Sequence, residues 1–125
     1  MSTTLGSVQP ATGDAIEVDI SLEAAPAVLY DAVVLPDGTD AVDALRADGR
    51  TLEFIKDQYR HCKTILALGA SDRLLAACGI DAALPGGQPD AGLIITSDTS
   101  AGTDDFVAAL ATHRHFARET DPPRV

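Results

Sequence analysis

The 125-residue chain contains no tryptophan, one methionine, two tyrosines and three phenylalanines. Any core must therefore be aliphatic and alanine-rich. With 46% hydrophobic residues there is enough apolar material to exclude global disorder. Basic residues are scarce as well: nine lysines and arginines stand against nineteen acids, a net charge of −10. Such a surface repels phosphate backbones and anionic headgroups, which argues against nucleic acid and membrane surfaces as partners. No apolar run approaches the ~20 residues needed to span a bilayer. Residues 1–15 lack the basic start and apolar stretch of a secretory leader. The two cysteines, Cys62 and Cys78, show no framework spacing. They read as free thiols in a reducing compartment, with the cytoplasm as the default location.

Ligand motifs are missing too. There is no C-x-x-C or H-x-x-x-H pattern for zinc. No G-x-G-x-x-G or P-loop follows a strand, and the glycine pairs PDG and PGG are turns. The residues thus predict neither a metal nor a cofactor in this chain.

What is present is a repeated pattern. Residues 1–14 are small and polar with breakers, which predicts a flexible arm. In 15–20, Ile16, Val18 and Ile20 alternate with Glu17 and Asp19, as in a half-buried hairpin strand. Residues 21–30 contain Pro26 and predict a loop or a short helical turn. Ala32 to Leu35 form an unbroken apolar run ended by Pro36-Asp37-Gly38, the pattern of a parallel strand buried on both faces.

A helix should follow, capped by Thr39 or Asp40, with Ala41, Val42 and Leu45 inward and Gly49 at its end. A second should run from about Thr51 to His61 on Leu52, Ile55 and Tyr59. Residues 64–68 read as the next buried strand. The helix after it should be capped by Ser71 or Asp72 and closed by Gly79, with Leu74, Leu75 and Cys78 inward. A breaker-rich loop, a third strand at 93–97, a last helix from about Asp104 to Glu119 and a tail at 120–125 complete the chain. Three strand–helix steps predict one α/β domain over 15–119 with a covered parallel sheet. Nothing in 1–14 can supply the opening strand–helix–strand unit of a doubly wound sheet, so the pattern is that of an N-terminally truncated domain. Ala32 to Leu35 then become an exposed apolar edge that favours a homo-oligomer or a larger partner.

The stretch ILALGASDRLL is where chemistry would sit. A strand entering a tight turn and then a helix puts the apex residue over free backbone N–H groups, where a serine or cysteine nucleophile can be activated. Here the apex is Gly69, followed by Ala70 and Ser71. The Ser71 hydroxyl is better placed to cap the helix than to attack. Cys62 ends a helix and Cys78 lies on an apolar helix face, so both read as packing residues. His113 and His115 stand two apart, on opposite sides of a helix, and cannot share a metal ion. His113 should be partly buried and His115 exposed, while His61 suits a helix C-terminus. No catalytic, cofactor-binding or metal residue is assigned; Gly69, Ala70 and Ser71 form a degenerate elbow.

Four segments in order carry a resemblance: YDAVVLPDG (30–38), FIKDQYRHCKTILALG (54–69), LLAACGI (74–80) and FVAALATHRHFARE (106–119). They resemble the C-terminal domain of large-subunit haem catalases, where the counterparts are DAVVVPGG-like, EAYRHCKPI-like and HRHWxRE-like. The match covers about three quarters of the chain, and YRHCK and HRHFARE are its specific parts. The resemblance implies a flavodoxin-like three-layer α/β/α fold, similar to class I glutamine amidotransferases and PfpI-type proteins. In that superfamily a cysteine occupies the elbow, with a histidine and an acidic residue nearby. Here Gly69 stands on the cysteine's place, and no histidine lies between Lys63 and Thr112. The haem of the parent catalase has no ligand context at Tyr30 or Tyr59.

The resemblance therefore implies a non-catalytic accessory domain or fragment of a peroxide-decomposing catalase, partnered by the catalase core or by further copies. Two alternatives stand beside it. One is a PfpI-type hydrolase using Ser71 or Cys62. The other is a ligand- or protein-binding module whose crevice lies at the carboxyl ends of the strands.

Overall fold

The computed structural model describes residues 1–120. The three apolar runs become β3 (Ala32–Leu35), β4 (Thr64–Leu68) and β5 (Leu93–Thr96), a parallel sheet with β4 at its centre. Val33 pairs with Ile65, and Ile65 with Leu93, in one register across the sheet. Helices α1 (Thr39–Arg46), α2 (Gly49–Arg60) and α3 (Asp72–Ala77) pack one face around Val42, Ile55, Ile65, Leu74 and Leu93. Helix α4 (Thr99–Leu110) covers β4 and β5 on the other face. Gly102 permits that approach: a Cβ there would lie 2.6 Å from Thr96 Cγ2. The result is a flavodoxin-like α/β/α arrangement.

Several expectations need correction. The 1–14 arm contains β1 (Gly6–Val8), which pairs antiparallel with β2 (Ile16–Val18). β1 has one apolar residue and is wholly exposed, so no pattern marks it. The β3 run is not buried on both faces. It is an edge strand, and Val34 is 48% exposed. Neither Thr39 nor Asp40 caps α1; Gly38, at φ +111°, holds the N-cap position without a side-chain bond, and Ala41 faces solvent. Gly49 begins α2 rather than ending α1, because the Asp48 carboxylate caps it through the Arg50 amide at 2.9 Å. Helix α4 starts earlier than expected, capped by Asp98 on Ala101, and stops at Leu110. His113 adopts φ +70° and turns the chain before a 3-10 turn at Phe116–Thr120. The tail expected at 120–125 lies, except for Thr120, outside the described residues.

Residues 21–30 form two 3-10 turns, Leu22–Ala24 and Ala27–Leu29. They are pinned to α2 by a small cluster of Ala25, Ala27 and Phe54. The Tyr30 and Phe54 rings meet at 5.7 Å.

Candidate functional site

The elbow lies at the carboxyl end of the sheet. β4 runs into a 3-10 turn, Gly69–Ser71, that leads directly into α3. Gly69 sits at φ +51°, the left-handed region that favours glycine. Space there is closed as well. A Cβ on Gly69 would fall 2.1 Å from Asp37 Oδ1. Asp37 reaches this point because the register aligns Leu35 with Ala67, which brings the turn after β3 beside the turn after β4. Its Oδ1 accepts hydrogen bonds from the Ala70 amide at 2.8 Å and the Gly38 amide at 2.7 Å. Those bonds, the one from Ala70 foremost, hold the Asp37 carboxyl below the usual carboxylate range. The chain's own carboxylate thus fills the position over the apex and takes an elbow donor.

Ser71 holds the N-cap position of α3 as expected, but not through its hydroxyl. It is fully buried with helical backbone angles, and its side chain makes no cap bond. The hydroxyl donates instead toward the Leu68 carbonyl at 2.8 Å and the Leu35 carbonyl at 3.3 Å. Those bonds tie the ends of β3 and β4 and leave the oxygen without a base.

The histidines and Cys62 collect at the opposite, amino end. His61 and Cys62 precede β4, and the His115 amide donates to the Cys62 carbonyl at 2.7 Å. His115 is buried, not exposed, and its Nε2 lies 3.0 Å from Thr64 Oγ1. His113 is exposed rather than partly buried. Both reversals follow from the end of α4 at Leu110, which removes the helical geometry assumed for residues 113–115. Thr64 and Leu68 are four strand steps apart, roughly 13 Å. His115 and Ser71 are thus held at opposite ends of β4 and cannot act as base and nucleophile. Burial lowers the His115 pKa, with the Arg118 charge a smaller cause. Burial raises both thiols, Cys78 to about 11. Protonated, buried thiols are poor nucleophiles.

A dense polar network occupies this amino end, and sequence reasoning missed it. Lys63 is 2% exposed. Its ammonium donates to the carbonyls of Ala27 (2.9 Å), Val28 (3.2 Å) and Tyr30. The Gln58 amide nitrogen donates to the same Ala27 carbonyl at 2.7 Å. Arg118 Nε meets Asp90 Oδ2 at 2.6 Å, both side chains almost wholly buried. Arg118 Nη1 also donates to the Lys63 carbonyl, and its guanidinium lies 4.6 Å from the centre of the Tyr59 ring. Asp90 Oδ1 in turn accepts from the Gly92 amide at 2.9 Å. Gly92 is required for space: a Cβ there would lie 2.3 Å from the His115 ring and 2.7 Å from Arg118 Nη2. Tyr59 lies beneath Arg118, and Tyr30 tilts against Phe54.

A family described as the C-terminal domain found in long catalases matches residues 5–120. The chain belongs to that family. It is 35% identical over 124 residues to catalase HPII of Mycobacterium avium, covering 93% of this chain and 18% of that one. It is 30% identical over 119 residues to catalase HPII of Pseudomonas putida, covering 95% and 15%. With Catalase-B of Dictyostelium discoideum it shares 29% over 126 residues, covering 100% and 17%. The chain thus spans less than a fifth of these relatives' length.

In this catalase C-terminal domain the two specific motifs meet. YRHCK ends α2 and enters β4; HRHFARE follows α4. Lys63 and Cys62 of the first are bonded through their carbonyls to Arg118 and His115 of the second. The motif residues build a structural lock at the end of the sheet remote from the elbow. The spacing His115-x-x-Arg118 was the available signal, and the assumption of a long α4 concealed it.

Proposed function

We propose that this chain serves as the non-catalytic accessory domain of a long catalase, stabilising a body that decomposes hydrogen peroxide. The observation that carries this reading is the filled elbow. Asp37 occupies the space over Gly69 and takes the Ala70 amide that a nucleophile or ligand would need. The family membership and the spending of YRHCK and HRHFARE on internal bonding support the same reading. Association with further copies through the open edge of β3 belongs to it. Val34 there is half exposed, and unpaired strand edges recruit strands.

Peroxide consumption by the purified chain should equal the protein-free rate. Expressing the chain together with its catalase should lengthen the catalase's half-life at elevated temperature, with kcat unchanged. No change in half-life would remove the accessory role. Hydrolysis of esters or glycated thiols by the chain, lost on Ser71→Ala and Cys62→Ala, would replace it with the enzyme reading.

A further inference from the structure

We infer that the free edge of β3, together with the groove beside α4, is the docking site for a strand–helix segment of a second, different polypeptide, which completes the sheet in trans. Exposure alone does not mark the place, since Leu5, Val28 and Leu29 stand further into solvent than Val34. A missing layer does. Parallel sheets are covered on both faces. At one edge of this sheet, β5 has Leu93 in the main core and α4 on its other face. At the other edge, β3 sets Val33 and Leu35 on the main core. Helix α4 packs on β4 and β5, and Val34 is left 48% exposed.

Helix geometry turns this bare strip into a groove. Gly102 is where α4 touches the sheet most closely. With 3.6 residues per turn, Phe106, Leu110 and Val107 lie about 40°, 80° and 140° to one side of it. A right-handed crossover through α3 places that side over β3. The residue types agree. Phe106 and Leu110 are half-buried and Val107 is 60% exposed. On the opposite flank Ala101, Asp105 and Ala108 present only small or charged side chains to solvent. Val34 is thus the floor of an open groove whose wall is apolar.

Width names the occupant. Strands about 4.8 Å apart beneath helices about 10 Å apart give one helix to every two strands. Helix α4 takes β4 and β5, so the next helix position straddles β3 and a fourth strand at its open edge. Two copies joined edge to edge by a two-fold axis would hold their α4 helices about 20 Å apart, and the floor between them would stay bare. A second copy therefore satisfies the edge and not the groove. A strand followed by an amphipathic helix satisfies both. The strand comes first, because a right-handed crossover on this side of the sheet leads away from β3. Against a chain of net charge −10, basic residues on the outer positions of that helix are complementary.

The test uses the full chain, tagged and expressed in its source cells. A photo-crosslinking benzophenone residue replaces Val34 or Val107, with Ile95 on the far edge and Ile16 on the hairpin as exposed control positions. Each protein is checked for an unchanged melting temperature, and the crosslinked peptides are sequenced by mass spectrometry. The expected result is one partner polypeptide captured from both groove positions and from neither control. Its two crosslinked points should fall within about 30 residues, on an apolar strand and the amphipathic helix after it. Val34→Lys and Val107→Asp should each weaken the isolated complex about tenfold or more. Adducts of the chain with itself at both positions would make the occupant a second copy and overturn the inference. Unrelated proteins at the two positions, or no capture above the controls, would overturn it as well. None of these outcomes bears on the half-life measurement that tests the accessory role.

Discussion

Replacing Asp90 by asparagine leaves the Arg118 guanidinium charged in a place that water cannot reach. The two side chains are 2% and 1% exposed and meet at 2.6 Å. Asparagine keeps the volume and can still accept from the Gly92 amide. It offers Arg118 no negative charge. Removing one partner of a buried ion pair costs about 3–5 kcal/mol, because the survivor keeps its desolvation penalty. A domain of this size has roughly 5–15 kcal/mol in all, so the substitution takes a large fraction of it. At about 4 °C per kcal/mol the melting temperature should fall roughly 12–20 °C. Arg118→Met should cost a similar amount, since it strands the Asp90 carboxylate and removes the cation over Tyr59. The double variant should cost clearly less than the sum, with a coupling of about 2 kcal/mol or more. Urea denaturation of the four proteins closes the cycle. A single substitution within about 1 kcal/mol of wild type, or additive costs, would refute the buried lock.

Gly69→Cys should restore no esterase activity and should lower stability by about 2 kcal/mol or more, from left-handed strain and collision with Asp37. Asp37→Gly in the same chain should recover part of that loss in a thermal melt, since the Asp37 carboxylate is what the new Cβ meets. The Asp37 carboxyl is depressed in the folded chain. Its contribution is therefore present above the unfolded carboxylate pKa and is lost as pH falls through the lower folded value. Melting temperature against pH should show this acid-side loss in the wild type and a shallower one in Asp37→Asn, which keeps both acceptor bonds but carries no charge. Cys62 and Cys78 should react with an aromatic disulfide at least about a hundredfold more slowly in the native protein than in denaturant. Rapid native labelling of either thiol would contradict their burial.

The central sheet was legible because its strands are apolar on both sides of the chain direction; 32–35, 64–68 and 93–96 stand out against charged flanks. The elbow was legible too, since a glycine after ILAL admits no reactive side chain. What fills it was not, because Asp37 and Ala70 are thirty-three residues apart and meet only through the parallel register. The helix ends failed for local reasons. His113 breaks the chain at φ +70° without a glycine or proline to announce it. Asp48 caps α2 where Gly49 seemed to punctuate, and Asp98 caps α4 ahead of its expected start at Asp104. His115 was expected to face solvent, and nothing in type or spacing marked Lys63 or Arg118 as buried. Their burial depends on carbonyls and an acid supplied by residues 27–30, 62–63 and 90.

The position of Asp37 gives the two ends of the sheet different tasks. In open α/β sheets ligands bind beyond the carboxyl ends of the strands, and turn amides left without acceptors there make the place receptive to an anion. A tethered carboxylate on the Gly38 and Ala70 amides satisfies those donors from within. An external anion would have to displace a group that never diffuses away. The ordinary ligand crevice is therefore committed to holding β3 against β4. Lys63, His115 and Arg118 brace the opposite, amino end through buried bonds to neighbouring turns and to β4. A domain whose carboxyl-end turns are sealed by Asp37 and whose amino end is braced by Asp90–Arg118 spends both ends of its sheet on holding its own fold.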